Sequence, residues 1–84
     1  MYAKLSIKAL GLAVGVVWSV YVIFLGLLAG YMDWGTPFVE LLGSLYIGYK
    51  PSLTGSLIGG VWAVVDGAIA GVIIAWVYNK FASE

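Results

Sequence analysis

The residue with most to explain is Asp66, the one ionisable side chain in an apolar run from Leu53 to Tyr78. A carboxyl at the centre of a bilayer-spanning helix costs about 2.5 to 3.5 kcal/mol on insertion scales, so it marks a functional position by default. Its neighbours on a helix are Gly59, Trp62, Ala63 and Ala70, so it borders small residues and not a leucine-covered face. In an antiparallel hairpin with level centres, Val20 would lie at the depth of Asp66, and Ser19 and Tyr21 would be its candidate donors. Two chemistries fit: a hydrogen-bond clasp between helices, or a proton or ion site lining a conduit. Asp66→Asn separates them, because a clasp largely survives the change and proton transfer does not.

Little other chemistry is available. The chain has no cysteine and no histidine, which removes disulfides, thiol redox work, haem ligation and the usual zinc sites. Its carboxylates are too few for a metal cage, no nucleophile has a base at a recognisable spacing, and no glycine-rich phosphate loop follows a strand. The expectation is a protein that is not an enzyme and holds no cofactor or metal. Four scattered lysines and a formal net charge of zero leave no basic patch for nucleic acid. Trp18 and Trp62 are read as volume filling beside glycine gaps.

The elements that must position Asp66 follow from hydropathy. With 63% apolar residues in 84, the chain is too short and too apolar for an ordinary soluble domain. Residues 9–31 carry no charge and would reach about 34 Å as a helix, enough to cross a hydrocarbon core of about 30 Å. Residues 53–78 form a second span, with Pro51 just before it. Tyr2, Lys4 and Lys8, then Tyr31, Asp33 and Trp34, mark the interfaces of the first; Trp76, Tyr78 and Lys80 mark the far end of the second. The first run is longer than a signal-peptide core and lacks a small-x-small cleavage site, so it is expected to be a retained anchor. The fold expected is an all-α membrane protein, a two-transmembrane-helix hairpin with a short amphipathic connecting helix, in one unit over residues 1–84. Lysine bias, with Lys4, Lys8 and Lys80 at the termini and Lys50 in the connector, leads to the expectation that both termini are cytoplasmic.

The connector is too long for a tight turn and too apolar for a plain loop. Thr36 and Pro37 read as a capping hydroxyl and a first helical residue. Phe38, Leu41, Leu42, Leu45, Tyr46 and Tyr49 then recur at helical spacing, which predicts a helix over 37–47 ended by Gly48 and Lys50-Pro51. That helix either lies in the membrane interface or folds back on the hairpin.

Twelve glycines complete the pattern. In the second span Gly55, Gly59, Ala63, Gly67, Gly71 and Ala75 fall at every fourth position, forming a shallow groove that another helix can approach closely. The first span carries a looser set, Gly11, Gly15, Ser19, Gly26 and Gly30. These grooves either close on each other within one hairpin or bind a neighbouring copy. The expectation is a homo-oligomer, because one hairpin cannot cover both faces of two helices and a lone pair would leave Asp66 poorly shielded. Beyond the lipid bilayer, other membrane proteins are the remaining candidate partners.

The stretch from Glu40 to Trp62, ELLGSLYIGYKPSLTGSLIGGVW, with Val65-Asp66-Gly67 and Ala75 to Asn79, resembles small prokaryotic membrane proteins of the holin-like, bacteriophage-holin type. The resemblance spans most of the chain. It implies accumulation in the cytoplasmic membrane and assembly into a pore or lesion that lets a lytic enzyme through. The chain departs from many holins in lacking a basic tail, since it ends Lys80 to Glu84 with one cation. The proteolipid c subunit of rotary ATP synthases is similar in plan only: its short Arg-Gln-Pro connector is absent, and here the continuous glycine repeat lies on the acid-bearing helix.

Overall fold

Each of the long helices starts on a serine. In a computed structural model of the protein, which describes residues 3–82, the Ser6 hydroxyl accepts from the Ala9 amide at 3.2 Å and opens α1, Ile7–Met32. The Ser52 hydroxyl accepts from the Gly55 amide at 3.0 Å at the start of α3, Leu53–Ala82. Both bonds satisfy amides that a helix start leaves without intrahelical partners. Between them lies α2, Thr36–Gly43, so that the described chain is helical and without strands. The two long helices, 26 and 30 residues, are long and apolar enough to cross a membrane and extend the expected spans by a few residues at three ends.

α1 and α3 pack antiparallel along a rod of 48 × 18 × 18 Å. The small residues decide how. A Cβ built on Gly67 would lie 2.9 Å from the Gly15 Cα, and one on Gly71 would lie 2.8 Å from the Gly11 Cα, so the two stripes press backbone on backbone. This corrects the expectation that the stripes serve a neighbouring copy: they are consumed inside the hairpin. In α3, Gly67 and Gly71 receive α1, whereas Gly55 receives the Lys50 backbone and Gly59 the Tyr49 ring. Ala63 and Ala75 are fully buried in the same seam. In α1, Gly26 meets Ser56 and Tyr49, and Gly30 meets the Pro51 carbonyl. A third element, absent from the two-helix argument, therefore covers the upper half of the groove.

That element folds back on the hairpin. Asp33 caps α1 in the left-handed region (φ 52°), the Trp34 amide returns to the Leu28 carbonyl, and Gly35 (φ 76°) packs on the Leu25 side chain. Gly35 is the N-cap of α2; Thr36 is its first residue, and its hydroxyl donates to Asp33 Oδ1 at 2.9 Å instead of capping the helix. The helix also ends four residues before the expected 47. Ser44 turns its hydroxyl onto the Leu41 carbonyl at 2.6 Å, and Gly43 lies against the Tyr49 carbonyl where a Cβ would stand 2.9 Å away. Gly48, at φ 94°, completes the reversal.

The tip of this segment is anchored well inside α3. The Trp62 indole donates to the Ile47 carbonyl at 2.9 Å, nine residues into the helix or about 14 Å along its axis. Val39, Leu42, Tyr46 and Tyr49 face the hairpin, while Phe38, Leu41 and Leu45 of the expected stripe face outward. In lipid such outward leucines cost little, because acyl chains are as apolar as they are. The inward face is free to carry hydroxyls.

At the opposite end the chain closes on itself. The Asn79 side chain accepts from the Leu5 amide at 2.7 Å and donates to the Leu5 carbonyl at 2.9 Å. Asn79→Ala removes both bonds at once. Amide exchange at Leu5 is expected to quicken by about fivefold, as befits a loss of about 1 kcal/mol, with the central amides of α1 unchanged.

Candidate functional site at mid-helix

Asp66 lies on an exposed face of α3, thirteen residues from its start. Its partner is a residue of the folded-back connector: the Tyr46 hydroxyl donates to Asp66 Oδ2 in a short hydrogen bond. The same hydroxyl accepts from Trp18 Nε1 at 3.0 Å. All three elements of the hairpin region thus meet in one relay, from indole to phenol to carboxylate. The Tyr46 ring is buried and stacks on Trp62, with centroids 6.3 Å apart and planes within 2°.

The donors expected from the sequence lie elsewhere. Ser19 is buried, but its hydroxyl donates to the Gly60 carbonyl at 2.8 Å. Tyr21 is exposed and stacks on Trp18 at 5.9 Å. The cause is register. Because Gly15 faces Gly67 and Gly11 faces Gly71, Asp66 is level with the turn preceding Ser19, one helical turn from where level centres would put it. Ser19 instead meets Gly60, whose bare Cα leaves its carbonyl open to the hydroxyl.

Trp18, Tyr46 and Trp62 are members of the site that residue type alone did not reveal. Trp18 fills space beside Gly67, as expected, whereas Trp62 is exposed and stacks on Tyr46, and each places its N–H on the connector. A signal for Tyr46 was present: it is a hydroxyl on the predicted inward stripe of a helix that could fold back. Tyr49 follows the same logic, with its hydroxyl donating to the Val22 carbonyl at 2.7 Å while its ring fills the Gly59 gap. Both tyrosines bury an apolar body and spend their polar tip on a specific acceptor.

The relay opens on one side. Leu45, Tyr46, Trp62, Val65, Asp66 and Ile69 line an open groove of about 340 Å³ on the outer surface. Among the described residues, Tyr46 supplies the one side-chain hydrogen bond to the carboxylate, and no group of three or more metal-ligating side chains is present. The site is built from one carboxylate, one phenol and two indoles. They can orient a charge, hold a proton or bind a partner. Comparison with family models, with curated proteins and with solved structures found no match for the chain.

Proposed function

We propose that the chain is a non-enzymatic membrane component that assembles with copies of itself through the Asp66 face, and that the assembled faces line a holin-like polar path across the cytoplasmic membrane. The supporting observation is that the Asp66 carboxylate, held by Tyr46 at mid-helix, lies on the outside of the hairpin. In a bilayer that side faces hydrocarbon, an arrangement that costs several kcal/mol unless water or protein covers it. The small-residue stripes are already occupied, so this face and not the glycine seam is the assembly surface. Both termini are placed on the cytoplasmic side by the lysine bias.

The native chain lacks cysteine, which makes the test direct. Ile69→Cys, beside Asp66, should form disulfide-linked dimers on oxidation in membranes, and Val61→Cys, exposed away from that groove, should not. Vesicles carrying the native protein should release a trapped small dye, and Asp66→Leu should slow release by at least about tenfold. Dimers without release at any protein density would leave a non-conducting accessory subunit of a larger membrane assembly as the function. Equal crosslinking at Ile69 and Val61 would end the assembly reading.

A further inference from the structure

We infer that the groove beside Asp66 is a binding site for a lipophilic organic cation, a weakly hydrated quaternary or delocalised centre carried on apolar arms. The inference deepens the assembly reading by naming what the Asp66 face would hold, and it rests on that reading only for the placement of Asp66 within a bilayer.

The groove has the size of a small-molecule site, and its walls divide cleanly by chemistry. Leu45, Val65 and Ile69 are apolar. Trp62 and Tyr46 supply aromatic surface, and Trp62 remains 42% exposed while stacked on Tyr46. Asp66 supplies the charge. Its Oδ2 is taken by Tyr46, and no other described side chain bonds the carboxylate, so Oδ1 is left for a ligand. A cation over an indole gains about 2 kcal/mol when desolvated, and the adjacent carboxylate adds to that attraction where water is excluded.

The same walls reject other cations. A hard metal ion needs six or more oxygen ligands, and the groove offers one carboxylate and a phenol that is already donating. A primary ammonium is strongly hydrated and carries three donors that the apolar walls cannot satisfy. A charge with no N–H to satisfy and little hydration to lose fits both the aromatic face and the hydrocarbon walls. The aromatic wall is also rigid, because Tyr46 is fixed by Trp18 and Trp62 by the Ile47 carbonyl. Little ordering remains to be done on binding.

The test uses the full chain in lipid nanodiscs and two probes of one shape and opposite charge, tetraphenylphosphonium and tetraphenylborate. After subtraction of empty discs, the phosphonium should bind saturably and the borate at least about tenfold more weakly. Asp66→Asn should weaken the phosphonium by at least about tenfold and leave the borate unchanged. Trp62→Leu should weaken it by about fivefold, and Trp62→Phe should recover most of that loss. Equal binding of the two ions by the native chain would overturn the inference, and so would phosphonium binding that survives Asp66→Asn. If Asp66→Asn fails to fold, the charge-reversed pair on the native chain decides alone. Phosphonium binding without Ile69 crosslinks would sink only the assembly, and crosslinks without binding would sink only the cation site.

Discussion

Replacing Gly67 by leucine is expected to open the hairpin, at a cost of about 3 kcal/mol, the upper end for overpacking a close contact. A Cβ on Gly67 would stand 2.9 Å from the Gly15 Cα, 3.0 Å from the Val14 carbonyl oxygen and 3.1 Å from the Trp18 Cβ. Two of those neighbours are backbone, so relief requires α1 to move as a body. Ala70→Leu is the control, since Ala70 is one turn further along α3 and exposed. With dyes at Leu12 and Ile73, equilibrium unfolding in mild detergent should show Gly67→Leu separating the helices under conditions where Ala70→Leu does not. Identical curves would show that the bare crossing is not what holds α1 to α3. The physical reason for so large an effect is that helices in lipid gain little from burying apolar surface, so close packing carries their association. The displaced Trp18 would in turn release Tyr46 and leave Asp66 without its phenol partner.

Tyr46→Phe should release the connector while leaving the long helices paired. One hydroxyl serves two partners, accepting from Trp18 Nε1 and donating to Asp66, so its removal strands an indole N–H and a carboxylate together. Interhelical hydrogen bonds in membranes average about 0.6 kcal/mol and reach about 1.7, and two lost at once with both partners stranded should cost about 2 kcal/mol. Amide exchange over residues 44–49 should then quicken by roughly thirtyfold, the factor that corresponds to that free energy, while exchange at the Gly15–Gly67 crossing stays slow. Tyr21→Phe is the informative companion. Tyr21 has the same chemistry and was the donor expected from level helix centres, yet it is exposed and stacked on Trp18, so its hydroxyl should be dispensable. If the Tyr21 variant loosened the connector as much as the Tyr46 variant, the relay through Tyr46 would be the wrong account of how Asp66 is held.

The two substitutions act on different levels of one structure. Gly67 belongs to the seam that sets the helix register, and that register in turn decides which side chains reach Asp66. Tyr46 belongs to the segment that the seam leaves room for. The Gly55–Gly59 half of the groove takes the connector because Lys50 and the Tyr49 ring occupy space that side chains would otherwise fill. Assembly or ligand binding at the outer groove comes after both.

Much was legible from residue order alone. The two apolar runs, free of charge except at Asp66, set two helices of spanning length, since such a run has no other way to satisfy its backbone in oil. The fourfold spacing of Gly55, Gly59, Ala63, Gly67, Gly71 and Ala75 marked the packing seam, and the isolated carboxyl marked the candidate site. What occupies the seam was decided by tertiary structure. Periodicity reports which face of a helix is bare but is silent on which of several elements will press against it, and here α1 and the connector share it. The identity of Asp66's partner was likewise a matter of register. A shift of one turn, about 5.4 Å, exchanges every donor within reach of a side chain as short as aspartate, and that shift is fixed by glycine contacts visible only when both helices are in place.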